Sequence, residues 1–168
     1  MTASLYQAAR NGDAGSAAKL LSQGTDVNAR DEQGWTPLHY AAAALHTRPD
    51  GWDRPDRIAV AGLLLDWGAD PNRQDKRGNT PLSLALRFQS CRAMALLLLS
   101  RGADPNGLKD TGVSPLHAAA YHGDIVVAEH LLLYGADVNA TDGNGDTALQ
   151  VARNRGFPEV VSLIEQRG

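Results

Sequence analysis

Thr36-Pro37-Leu38-His39 returns as Thr80-Pro81-Leu82-Ser83, as Ser114-Pro115-Leu116-His117 and as Thr147-Ala148-Leu149-Gln150, with starts 44, 34 and 33 residues apart. A second phrase keeps the same step: Gly24-Thr25-Asp26, Gly68-Ala69-Asp70, Gly102-Ala103-Asp104 and Gly135-Ala136-Asp137, again 44, 34 and 33 apart. Two separate markers with one period describe a single supersecondary unit used repeatedly. In such an array each unit packs only on its neighbours, so the 168 residues count units rather than set the size of one globule.

The cleanest unit runs from Gly112 to Ala140. Ser114 offers a hydroxyl to cap a helix, and Pro115 suits the first helical turn, where its missing N–H costs nothing. Leu116, Ala119 and Ala120 give a short helix with a small-residue face. Gly123-Asp124 end it and cap the next, which carries Ile125, Val126, Val127, Leu131, Leu132 and Leu133. Gly135 then stops the second helix in the left-handed conformation, and Ala136-Asp137-Val138-Asn139 leads onward.

These residues resemble the ankyrin-repeat family over essentially the whole chain. The family phrase D-x-x-G-x-T-P-L-H-x-A is matched by Asp31 to Ala41 and, less fully, by Asp75 to Ala85. Asp142 to Ala152 keeps the Asp, Gly, Thr and Leu but loses the Pro and His, and Lys109 stands where the fourth unit would open with Asp. The resemblance implies an all-α ankyrin-repeat solenoid of five helix-turn-helix units with projecting β-turns, in which the Thr and His of the phrase bond helix to turn. The expected units are 1–30, 31–74, 75–108, 109–141 and 142–168, in one domain. Ala3 is taken as the first unit's equivalent of Thr36. The first unit, with Gln7, Arg10, Lys19 and Gln23, and the fifth, with Glu159, Glu165, Gln166 and Arg167, read as wetter caps.

The second unit carries 11 extra residues, Leu45 to Pro55, between its two helices; the third carries one extra, near Phe88 or Gln89. Pro49 and Pro55 stiffen the longer insertion, and Trp52 lies beyond the Asp50-Gly51 turn. Insertions in repeat arrays collect on one face, often the one that binds. Trp52 therefore has two readings, a shield over helix ends or an anchor for a partner.

The resemblance also implies that partners contact the turn tips and the exposed flank of the first helices, on the concave side. The tip positions are Glu32, Gln33 and Trp35; Lys76, Arg77 and Asn79; Asp110, Thr111 and Val113; Asn144 and Asp146. The flank positions are Arg87, Phe88, Tyr121, His122, Asn154 and Arg155. Trp35, Phe88 and Tyr121 are expected to form an interrupted aromatic stripe bordered by Arg77, Arg87 and Arg155, although Trp35 also suits simple packing on the neighbouring turn. The spacing of Leu131, Asp137 and Val138 before Asn139 resembles the asparagine-hydroxylation motif of ankyrin proteins.

Other chemistry is poorly supported. Asp142-Gly143-Asn144-Gly145-Asp146 opens like a calcium loop, but its sixth position is Thr147 and its twelfth Arg153, where such loops need Gly and Glu. Gly143-x-Gly145-x-x-Ala148 lacks the preceding strand of a dinucleotide site. His122 and His130 are not at zinc spacing, and Cys91 opens a helix, where a packed thiol is common. The net charge of −3 without a basic block gives no footprint for nucleic acid. The seven-residue run Ala93 to Leu99 is far below a membrane span. The single cysteine excludes an intrachain disulfide and fits a reducing, cytoplasmic setting.

The reading is a monomeric, non-enzymatic module that binds another protein, as an inhibitor or regulator, without cofactor or metal. The alternatives are a small-molecule binder or enzyme built on the 45–55 insertion with His46, Asp50 and Asp53, and a self-associating scaffold.

Overall fold

The computed structural model describes residues 4–43, 55–87, 91–107 and 112–167. Among these are ten helices: α1 (Leu5–Asn11), α2 (Ala14–Ser22), α3 (Pro37–Ala42), α4 (Pro55–Asp66), α5 (Pro81–Ala85), α6 (Arg92–Ser100), α7 (Pro115–His122), α8 (Ile125–Leu133), α9 (Ala148–Arg155) and α10 (Pro158–Glu165). They pair in sequence as five antiparallel hairpins, and each hairpin packs on the next. The described residues hold no strand, only an isolated antiparallel bridge between Thr141 and Thr147.

The recurring phrase works as a cap. Thr36, Thr80, Ser114 and Thr147 each accept the N–H three residues on, while His39, Ser83, His117 and Gln150 reach back to the cap's own N–H. This reciprocal pairing satisfies two amides that a helix start leaves open. The phrase's leucines Leu38, Leu82 and Leu116 are fully buried, and the second helices add Val60, Leu64, Leu98, Val127, Leu131, Val160 and Ile164 to one continuous core. Alanines at Ala41, Ala85, Ala119 and Ala152 keep the first helices slim. Gly123 ends α7 at φ 68°, and a Cβ there would meet the Phe157 ring at 2.5 Å, so glycine is required both by conformation and by room.

Two expectations need correction. The first unit's cap is Ser4, not Ala3: its hydroxyl accepts the Gln7 N–H at 3.2 Å, which a methyl group cannot do. Pro55 belongs to α4 rather than to the insertion, because a proline lacking an N–H suits a helix start. The rest of the insertion, 45–54, lies outside the described residues. Its two ends are tied together, since Arg57 Nη1 donates to the Ala43 carbonyl at 2.8 Å.

Successive connectors are fastened by one asparagine each. Asn28 donates to the Gly68 carbonyl at 3.0 Å and accepts the Asp70 N–H at 2.9 Å. Asn72 does the same to Gly102 and Asp104, at 2.9 and 2.7 Å, and Asn106 to Gly135 and Asp137, at 3.1 and 2.8 Å. Asn139 holds the equivalent place in the last described connector and is exposed.

Candidate protein-binding surface

The turns that precede α3, α5 and α9 are each built around an aspartate. Asp31 Oδ1 accepts the N–H groups of Gln33 and Trp35, both at 2.8 Å. Asp75 Oδ1 accepts those of Arg77 and Asn79, at 2.8 and 2.9 Å. Asp142 Oδ1 accepts those of Asn144 and Asp146, at 2.8 and 3.1 Å. The calcium-like alternation is thus the repeat's own turn, its carboxylate committed to backbone amides. Burial pushes the Asp75 carboxyl up, but the Asn79, Arg77 and Trp35 donors outweigh it and hold the group below its ordinary value. Asp31 is governed the same way: burial raises it, but the Tyr40 hydroxyl at 2.6 Å and three turn amides outweigh that and hold it below its ordinary value. Tyr40 answers in the opposite sense, pushed up to about 12 by burial and by donating to Asp31.

These turns present Glu32, Gln33, Lys76, Arg77 and Asn144 as exposed tips. Other tip residues point inward. The Trp35 indole donates to Asp75 Oδ2 at 2.9 Å and packs against His39 and Tyr40, with ring centroids 6.1 and 5.0 Å apart. Asn79 gives its amide to Asp75, and its carbonyl lies 3.1 Å from His39 Nε2. Asp146 offers its carbonyl to His117 Nε2 at 2.9 Å. On the helix flanks Arg87, Tyr121, Asn154 and Arg155 are exposed and His122 is half-buried. Trp52, Phe88, Asp110 and Thr111 lie outside the described residues, as do His46, Asp50 and Asp53.

The aromatic residues group differently from a single stripe. Trp35 joins Tyr40, which in turn lies 5.6 Å from Tyr6. Tyr121 stands apart, edge-on to His122 at 5.3 Å and with the Arg155 guanidinium 4.1 Å from its ring centroid. Tyr6 and Tyr40 carry no motif of their own, and only the meeting of α1 with α3 brings them together.

One hollow opens on this side. It measures about 230 Å³ and is lined by Leu86 and Arg87 at the end of α5, by Val113, Ala118 and Tyr121, and by Val151 of α9 with Asp142 at its rim. Its cause is local. α5 has only five residues, and it hardly touches α7, whereas α1 with α3, α3 with α5 and α7 with α9 pack closely. Cys91 is buried close by, near Leu86, Ala118 and His122.

The turn–helix–helix unit, its capped phrase and its stacking define the architecture, and the family model described as Ankyrin repeats (3 copies) matches residues 5–108 and 54–142. This chain belongs to the ankyrin-repeat family. Ankyrin repeats are generally protein–protein interaction modules and typically carry no catalysis. Among curated relatives, a putative ankyrin repeat protein of Rickettsia felis is 40% identical over 48 residues, 29% of this chain and 76% of the relative. The ARF GTPase-activating protein Git of Drosophila melanogaster is 60% identical over 38 residues, 23% of this chain but 5% of that protein. A VAPYRIN-LIKE protein of Medicago truncatula is 50% identical over 38 residues, 8% of its length. The chain therefore spans only a small part of these two longer relatives. Among the described residues no helix is long and apolar enough to cross a membrane, and no group of three His, Cys, Asp or Glu side chains is placed to hold a metal ion.

Proposed function

We propose that this ankyrin chain, acting as one domain of five units, binds a folded protein through its turn tips and first-helix flank. The hollow between α5 and α7 carries the reading. It is apolar within, open to solvent, and bordered by an aromatic ring that is 49% exposed while Arg155 lies over it. Tyrosine and arginine beside a small apolar recess are the residues that dominate interface energetics. Glu32, Gln33, Lys76, Arg77 and Asn144 supply the polar rim, and a partner seated there would have part of its own surface covered, which suits a regulatory or inhibitory role. Trp35, Asn79 and Asp146 support the surface from behind by fixing the turns.

The test is affinity capture from the source lysate with mass spectrometry, repeated with Tyr121→Ala/Arg155→Ala and with Lys76→Glu/Arg77→Glu. A partner retained by the parent chain and lost by the first pair supports the recess as the anchor. A partner retained equally by both pairs places its contact elsewhere and refutes the assignment.

A further inference from the structure

The opposite edge of the stack, where the second helices end, exposes more large apolar surface than the first-helix side. Trp67 is 48% exposed, Leu133 65% and Tyr134 46%. Trp67, Arg101 and Tyr134 hold one repeat position, each directly before the glycine that ends its unit, Gly68, Gly102 and Gly135. The asparagine clamps bind those units loop to loop, Asn72 on Gly102 and Asn106 on Gly135, so the three side chains stand in consecutive rows. Arg101 between the two aromatics is neutralised, its Nη1 lying 2.6 Å from Asp66 Oδ1 in the row before.

Acidic groups outnumber cations on this edge. Two residues beyond each glycine stands an aspartate, Asp26, Asp70, Asp104 and Asp137, whose Oδ1 accepts an N–H of its own connector. Arg73 answers Asp70 at 3.5 Å, and Lys19 lies in the last turn of α2. No such cation pairs with Asp104 or Asp137 among the described residues, and beyond that one N–H neither carboxylate has a further partner there. The C-terminal ends of α2, α4, α6 and α8 all lead into this edge, and each adds the partial negative charge of its last carbonyls.

Geometry narrows the ligand. Rows of packed helices lie about 10 Å apart. A polyproline-II segment turns once in three residues and rises about 9 Å in doing so. Its every third side chain therefore faces the same way at nearly the general spacing of packed rows such as those that carry the aspartates, and its proline rings suit flat aromatic surfaces. We propose that this edge docks an extended, proline-rich basic segment of another protein, with a cation at every third residue set against Asp70, Asp104 and Asp137 and with prolines laid on Trp67 and Tyr134. This contact is separate from the first-helix recess.

The probe is the peptide (Arg-Pro-Pro)4-amide, with (Glu-Pro-Pro)4 and (Ser-Pro-Pro)4 as controls, titrated into the full 15N-labelled chain. Saturable shifts are expected at the amides of residues 67–70, 101–104 and 133–137, with binding by the arginine peptide alone and weakening as salt rises. Trp67→Ser/Tyr134→Ser should weaken it about tenfold. Asp104→Asn/Asp137→Asn keeps the oxygen acceptors of the connectors while removing charge, and should weaken it about fivefold and flatten the salt dependence. Tyr121→Ala/Arg155→Ala should leave it unchanged. Equal binding of the three peptides, shifts centred on Tyr121 and Val151, or no saturation at millimolar peptide would overturn the proposal. So would concentration-dependent dimers abolished by the Trp67/Tyr134 pair, which would make a second copy of the chain the occupant.

Discussion

The junction between the second and third hairpins and the junction between the third and fourth are built from nearly the same phrase, yet they are fastened differently. In the former, His39 takes the Thr36 N–H on Nδ1 at 3.1 Å, which leaves Nε2 protonated to donate to the Asn79 carbonyl 40 residues away. Trp35 reaches Asp75, Arg30 reaches the Gln74 carbonyl at 2.9 Å, and Lys76 N–H donates to the Gln33 carbonyl at 3.0 Å. In the latter, Ser83 replaces the histidine. Its hydroxyl also completes the cap, but it is too short to cross, and donates to the Thr80 carbonyl at 2.9 Å within its own turn. Among the described residues an imidazole thus straps the former row, and the latter has no side chain at that position long enough to do so. What holds α5 and α6 to the fourth hairpin among the described residues is the packing of α6 on α8, the Asn106 clamp and the exposed pair Arg92–Asp124 at 3.1 Å.

The sharpest way to break this contrast is to remove the strap. His39→Ala should cost about 3 kcal/mol, from a cavity in a fully buried site and unpaired polar groups left behind. His39→Gln should recover about 1 kcal/mol of that, because Gln150 performs the same cap in α9 through its Oε1, 2.6 Å from Thr147 N. Urea denaturation of both variants separates cap from strap; a His39→Gln variant as stable as the parent chain would show that the Asn79 bond contributes nothing. A second comparison concerns the clamps. Asn106→Ala should cost about 2 kcal/mol and Asn72→Ala about 1 kcal/mol, since α5 and α7 pack less closely than α3 and α5 among the described residues. Native-state hydrogen exchange should then show the Leu84 and Leu86 amides of α5 opening before Tyr40 and Ala43 in the parent chain. The reverse order would remove the weak-junction argument.

Smaller effects sharpen it further. Ser83→Ala should cost about 1 kcal/mol as the loss of a local cap, and should leave exchange in α7 unchanged. Acidification adds a charge-based test. Burial lowers the His39 pKa from its ordinary value of 6.5, while the Asn79 carbonyl and Asp75 only partly offset it. The unfolded chain therefore binds this proton first, and the stability that His39 contributes is intact above pH 6.5 and declines as pH falls below it. Melting temperatures measured from pH 7.5 to 5 should slope downward more steeply in the parent chain than in His39→Gln.

Much of the architecture was legible in the sequence because it is local. A cap, a proline at the first helical position and a terminating glycine lie within a few residues of one another, and the period repeats them. The change in period also placed the long insertion between the two helices of its unit, although Pro55 was counted in it rather than in α4. What escaped reading depends on the next row. Of the two readings of Trp35, packing on the neighbouring turn is the one its indole takes, but nothing near it in the sequence shows that its partner is a carboxylate 40 residues on. The Tyr6–Tyr40 contact and the recess beyond α5 have the same origin, since both follow from how two units meet. The exposed Trp67 and Tyr134 were masked by their position in an apolar helix end, where periodicity alone reads them as core. At the chain's start, spacing favoured Ala3 and chemistry favoured Ser4; the hydroxyl decided.

Each asparagine clamp makes its hydrogen bonds to the backbone of the unit it grips, a glycine carbonyl and a peptide N–H. Register along the stack is therefore enforced by atoms that every amino acid shares. Whatever the turn tips and helix flanks display can drift through mutation without loosening this joint, so new specificities can be written onto the chain while its scaffold stays in place.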